Sequence, residues 1–250
     1  RETLFIRREA KQLGAVLDRI ADLIDPTRKG WSGQDGRWLI PKWNDVPRQV
    51  VIGSTPNLGD ESKYQGRPRD LLVIDEAANM LEQQVRFLMG WVRSTVPGQR
   101  CRTLFCSNPP TSEDGEWLTR MFAAWLDPEH PSPAKPGTIR YYAMIDGKEI
   151  EVPTGDRFRH GEEEIIPRSR TYIPARLDDN AYLKDTGYRS VLQGLPEPLR
   201  SQMLYGDFTA GRQDKEWQVI PSAWVEEAMR RWEEIELDLA SEQSQLVTWY

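Results

Sequence analysis

Four apolar residues followed at once by two carboxylates, Leu71-Leu72-Val73-Ile74-Asp75-Glu76, constrain this chain more than any other segment. A short unbroken apolar run suits a central parallel strand buried on both faces, since a strand with one wet face alternates. Residues 78–92 then carry Met80, Leu81, Val85, Leu88, Met89 and Val92 at helical spacing. Pro97-Gly98 turns the chain. A second apolar run, Thr103-Leu104-Phe105-Cys106, breaks at Asn108-Pro109-Pro110. Strand, helix and strand in that order predict a βαβ unit. Its crossover is right-handed in nearly all cases and makes the strands parallel. Asp75 and Ser107 then share the C-terminal edge of one sheet, where open α/β folds place ligands. The expected class is α/β.

Apolar residues ending in Asp-Glu are the Walker B pattern of ATPases. A rigid strand holds Asp75 where its carboxylate can join the coordination shell of Mg²⁺, through water, beside ATP. Glu76, one residue on, leaves the strand and faces the attacking water, which it can orient and deprotonate. Ser107 and Asn108, at the end of the second strand, can sense the γ-phosphate and relay its loss. The competing reading is structural: a buried strand that exits into a solvated acidic turn, and an Asn-Pro that only starts a turn.

The two strands together resemble the ATPase core of phage large terminase subunits, with an apolar-Asp-Glu Walker B and a coupling strand ending in a Ser/Thr-Asn-Pro-like turn. Tyr64-Gln65-Gly66 resembles that family's aromatic-X-Gly loop. Arg176-Leu177-Asp178-Asp179-Asn180-Ala181-Tyr182-Leu183 resembles a segment that follows its core, and Leu195-Pro196-Glu197-Pro198-Leu199-Arg200 with Gly206-Asp207-Phe208 resembles the end of its ATPase region. The resemblance spans residues 3–208. It implies a P-loop NTPase-like core of RecA/ASCE type with a β-hairpin and short-helix subdomain. It also implies ATP and Mg as cofactors, double-stranded DNA as the translocated partner, a homo-oligomeric ring, a portal protein, a small terminase subunit and the host cytoplasm. In such a ring an arginine finger comes from a neighbouring subunit. Arg67, in the loop before Walker B, is the candidate, although Gln65 stands where the resemblance implies arginine. Arg7-Arg8 is a second candidate, for phosphate or subunit contact.

No G-x-x-x-x-G-K-[ST] occurs, so the chain lacks the Walker A segment that cradles phosphates. With Arg1 opening inside a strand, the expectation is a fragment whose P-loop lies upstream, whose RNase H-like nuclease follows, and which is inactive alone. Glu226-Glu227 and Glu233-Glu234 read as a solvated helix face rather than a nuclease site. Two alternatives stand beside the packaging motor: a helicase-like nucleic-acid-dependent ATPase, and a non-enzymatic interaction module. A helicase needs a second RecA-like domain, whereas residues 127–208 offer a hairpin and short helices.

A net charge of −6 over 250 residues argues against nucleic-acid binding by bulk charge. No apolar run is long enough to span a membrane. Cys101 and Cys106 are expected to be small buried residues of one strand, and Trp217, Trp224 and Trp232 packing anchors. His130 and His160 lack partners at zinc-ligand spacing. Strands are expected over 3–6, 37–40, 49–52, 103–106 and 171–175, with a hairpin over 138–152 about Asp146-Gly147. Helices are expected over 9–24, 117–125, 188–195, 198–205 and 221–237. The expected division is 1–126, a partial ATPase core; 127–212, the remainder of that domain; and 213–250, a linker and helix toward the nuclease.

Overall fold

Four parallel strands form the centre of the molecule. In the computed structural model these are β1 (Glu2–Arg7), β4 (Val46–Ser54), β5 (Leu71–Asp75) and β6 (Arg102–Cys106). They lie in the order β4-β1-β5-β6, and antiparallel β3 (Arg37–Trp43) and the short β2 (Trp31–Ser32) extend the sheet beyond β4. The structure describes residues 1–43, 46–183 and 186–210, with 220, 224–225, 228–229 and 231–232. The chain divides into two compact units, Arg1–Thr209 and Ala210–Tyr250, and each is described by itself.

The pleat sends alternate residues to opposite faces of the sheet. Leu4, Ile6, Leu72 and Ile74 fill one face, fully buried under α2 (Glu82–Met89) and α3 (Glu116–Met121), which contribute Val85, Leu88, Trp117, Leu118 and Met121. The other face carries Phe5, Val50 and Ile52, which pack with Trp38 against α1 (Gly14–Ile24) through Leu13, Leu17 and Ala21. That helix covers β1 and β4 but not β5 and β6. Leu71 and Val73 are therefore half-buried, and β5 is not buried on both faces as its apolar run predicts. Beyond it β6 ends the sheet, with Leu104 and Cys106 exposed. The expectation of two buried cysteines fails for this reason: Cys106 faces solvent at the sheet end, and half-exposed Cys101 precedes the strand.

Helices come in shorter pieces than periodicity predicts. A 3₁₀ turn, Ala10–Leu13, leads into α1, and another, Ala77–Asn79, precedes α2. The helix expected over 117–125 is split into α3 and α4 (Ala123–Leu126).

After α4 the chain builds a small antiparallel sheet, β11-β7-β8, from β7 (Arg140–Ile145), β8 (Lys148–Val152) and β11 (Arg168–Arg170); a separate hairpin pairs β9 (Phe158–His160) with β10 (Glu163–Ile165). Asp146 and Gly147 join β7 to β8 with φ of 49° and 77°, the left-handed pair a tight hairpin turn demands. The strand expected over 171–175 is absent. The strand is Arg168–Arg170 instead, and Tyr172 packs its ring between Phe122 and Phe208. Arg170 fastens this sheet to the core: its guanidinium lies over Tyr142 (4.2 Å) and Phe122 (5.6 Å) and donates to the Met121 carbonyl. Two short helices, α5 (Tyr188–Gln193) and α6 (Leu199–Tyr205), end the first unit. In the second unit Trp224 and Trp232 are 70% and 66% exposed, against the packing role expected of them. Trp217, Glu226-Glu227 and Glu233-Glu234 lie outside the described residues.

Two polar corners hold the main sheet. Below the strands, Arg69 (side chain 3% exposed) pairs through Nε with Glu2 Oε1 at 3.3 Å and donates from Nη1 to the Tyr64 and Arg67 carbonyls. Removing one member of a buried pair strands the other. Arg69→Met is expected to cost about 3 kcal/mol in urea unfolding; a loss below about 1 kcal/mol would show the pair to be solvated. At the end of α1, Asp25 accepts from the Gly30 N–H (2.8 Å), Trp38 Nε1 (3.0 Å) and Thr27 Oγ1 (2.8 Å). These bonds, the Gly30 N–H foremost, hold its carboxyl at about 2 against an ordinary 3.8. Because the folded value is the lower, Asp25 stabilises fully above about pH 4, and that contribution fades as pH falls toward about 2. Asp25→Asn is expected to flatten the decline of Tm across that window. Parallel declines in the two proteins would remove Asp25 from the role.

Candidate functional site at the C-terminal sheet edge

All four parallel strands end at one edge, which gathers Arg7 from β1, Asp75 from β5 and Cys106 from β6. Asp75 pairs in register with Cys106, one residue before Ser107. Arg7 lies one step beyond the Ile6–Ile74 pair, on the same face as Asp75. It donates from Nε to Asp75 Oδ2 at 2.7 Å, with Nη2 also 2.7 Å from that oxygen, and both side chains are about one-fifth exposed. The Cys106 thiol is pushed up, first by desolvation and then by the negative charges of Asp75 and Glu76.

Glu76 has left-handed backbone, φ 53° and ψ 49°. A non-glycine residue there costs about 1–3 kcal/mol and persists only where its surroundings over-determine it. The following turn is held from every side. Asn79 N–H donates to Glu76 O, and Met80 N–H to Ala77 O. Ala78 N–H donates to Ser107 Oγ at 3.0 Å, and that hydroxyl donates in turn to Asn108 O. Trp117 Nε1 donates to Met80 O at 2.8 Å, from a ring buried in the core. Arg8 Nη1 donates to Asn79 O at 2.8 Å. Gly115 lies so close that a Cβ there would stand 2.3 Å from Ala78 O, which explains glycine at that position. Glu76, half-exposed, leaves the strand line directly after Asp75.

The turn after Ser107 is anchored as well. Pro109 and Pro110 are buried, and Gln202 of α6 (4% exposed) donates from Nε2 to Pro110 O at 2.9 Å. Asn108 is exposed at the mouth of the site.

Two crystal structures of the large terminase from a thermophilic bacteriophage, one in complex with ADP, are similar to part of this chain at 17% identity and a TM-score of 0.32. The likeness covers 43% of this chain and 26% of that one. No protein-family model matches the chain, and no curated protein matches it either. A likeness at that TM-score carries no argument, so the reading of the site rests on its geometry.

That geometry brings together Asp75, Glu76, Ser107 and Asn108, and adds Arg7 and Arg8. It does not bring Arg67. The loop from Thr55 descends past the sheet, so Arg67 sits at the opposite edge, 3.7 Å from Glu2 Oε2. Five strand steps, about 16 Å, separate Glu2 from Arg7. The nearness of Arg67 to Asp75 in sequence does not carry into space. A cavity of about 440 Å³ also opens at that lower edge, among Arg1, Arg48, Arg100 and Arg102. The acids beside it are engaged elsewhere, Glu2 with Arg69 and Asp70 with the Glu2 N–H, so it is no second carboxylate centre. Sequence reasoning missed the roles of Trp117 and Gly115; a tryptophan opening a helix just past the coupling strand and a lone glycine before it were the available signals.

The strain at Glu76 is testable. Glu76→Gly is expected to raise unfolding stability by about 1 kcal/mol, since glycine adopts this backbone without the Cβ clash. Unchanged or lower stability would mean that the clamp relieves the strain by other means.

Proposed function

We propose that this edge is the cation- and water-handling half of an ATP-hydrolysing site, and that the chain belongs to the motor of a viral DNA-packaging terminase. One observation carries the enzymatic reading: two adjacent carboxylates at the end of a central parallel strand, the second in strained left-handed backbone that hydroxyl, indole and guanidinium groups hold in place. Strain of this kind clusters at functional sites. A solvated acidic turn needs none of these supports.

The donor set suits a hard divalent cation. Asp75 offers carboxylate oxygen, and Mg²⁺ characteristically takes one or two protein carboxylates and fills its shell with water and phosphate. Among the described residues no group of three or more His, Cys, Asp or Glu forms a cage. When bound, the cation would neutralise charge on the nucleotide's phosphates. Asp75 would hold it, and Glu76 would accept the proton of the attacking water. Ser107 bonds at once to the turn after Glu76 and to the loop that α6 holds, so a change at the phosphate can reach α6 through it. No phosphate-cradling G-x-x-x-x-G-K-[ST] segment is assigned among these 250 residues. Arg67 is retained only as a contact offered to a neighbouring subunit, since its own Asp75 is out of reach.

The terminase-level part of the reading is supported by the motif resemblances around Tyr64, Ser107, Asp179 and Leu195. It brings double-stranded DNA, a homo-oligomeric ring, a portal protein and a small terminase subunit as partners, in the host cytoplasm. No helix among the described residues is long and apolar enough to cross a membrane.

ATP turnover by the full gene product, measured beside Asp75→Ala and Glu76→Gln, tests the reading. Glu76→Gln is expected to lower kcat about 100-fold or more while nucleotide still binds. Asp75→Ala is expected to abolish Mg²⁺-dependent turnover. If neither substitution alters the rate, the edge is structural and an interaction module is the better account.

A further inference from the structure

The Arg7–Asp75 pair neutralises the carboxylate that the proposed site offers a cation. Both guanidinium contacts, from Nε and Nη2, fall on Asp75 Oδ2 at 2.7 Å. A third electropositive partner on that oxygen is repelled at contact distance. The pair is not required to hold the strands together: β1 and β5 are in register from Thr3–Leu71 to Ile6–Ile74, over a core of buried Leu4, Ile6, Leu72 and Ile74. Arg8 does not share the task, being committed to Asn79 O and to Asp114 at 3.8 Å. Arg7 is thus the one cation contacting Asp75 among the described residues, and Glu76 adjoins that carboxylate in the chain. Withdrawing Arg7 leaves two negative charges, the complement of a divalent cation. A second anchor makes withdrawal feasible, since Nη1 donates to Gln12 O at 3.0 Å and can keep that bond as the rest of the group turns away.

We infer that Arg7 is a displaceable counter-ion for Asp75: its guanidinium holds Asp75 Oδ2, and a divalent cation loading at that carboxylate competes with its charge. This rests on the reading of Asp75 as the cation's ligand. The released guanidinium stays at the edge through Gln12, positioned for an anionic oxygen of the incoming phosphate. Arg7 is a positioning residue in this scheme, acting through Asp75.

The test uses Mn²⁺ alone, without nucleotide, binding to the intact chain and followed by the electron paramagnetic resonance signal of the free ion. Wild type, Arg7→Gln, Arg7→Lys, Asp75→Asn and the Arg7→Gln/Asp75→Asn double variant are compared, each with a circular dichroism melt. Arg7→Gln is expected to bind Mn²⁺ about tenfold more tightly than wild type, because an opposing positive charge has left Asp75. Arg7→Lys, which keeps the charge but loses the two-pronged contact, is expected to fall between them and carries the same comparison should Arg7→Gln fail to fold. Both proteins with Asp75→Asn are expected to lose the binding. Equal or weaker Mn²⁺ binding by folded Arg7→Gln overturns the counter-ion role and leaves Asp75 as a ligand. No Asp75-dependent binding in any variant overturns the cation reading of Asp75 as well.

Discussion

The left-handed backbone at Glu76 is the constraint on which the site depends. It turns the chain out of β5 at the point where the second carboxylate must leave the strand line, and nothing local favours it. Its supports come from far along the chain: the Ser107 hydroxyl, the Trp117 indole, the Arg8 guanidinium and the absent side chain of Gly115. They belong to different parts of the chain, so the turn is specified only when β1, β5, β6 and α3 are assembled. The geometry of two carboxylates is thereby tied to the integrity of the whole parallel sheet.

The same dependence explains what could be read without coordinates. The apolar run ending at Asp75 and the one ending at Cys106 declare parallel strands with chemistry at one edge, because burial and βαβ handedness leave few other arrangements. Asp146-Gly147 declares its hairpin for an equally local reason, the backbone those residues tolerate. Exposure of Cys106 could not be read, since an apolar run says that a strand is packed but not that its sheet ends there. Nor could the Thr171–Ala175 error be avoided: Tyr172 and Ile173 look like strand residues, yet the Tyr172 ring is a wedge between two phenylalanines. Arg67 is close to Asp75 along the chain and a strand's length from it in space. Separation in sequence is a poor guide wherever a loop runs down the side of a sheet.

Arginine does three distinct jobs in this acidic chain. Arg69 is a buried strut whose charge is matched by Glu2. Arg170 is a clasp that uses its flat faces on two aromatic rings and its edge on a carbonyl. Arg7 is different in kind, because its partner is the carboxylate proposed to hold the cation. Burial separates them: Arg69 is desolvated almost completely and has nowhere to go, whereas Arg7 keeps access to water and a second anchor.

Pro109 and Pro110 carry a mechanical consequence. Each has one of its two backbone rotations locked by its ring, and both are buried between Ser107 and the carbonyl that Gln202 grips. A chain of ordinary residues would dissipate a small displacement of Ser107 in torsional give within a few bonds. This stretch has fewer free rotations, so a displacement at the end of β6 is passed toward the bond to α6 with less torsional give.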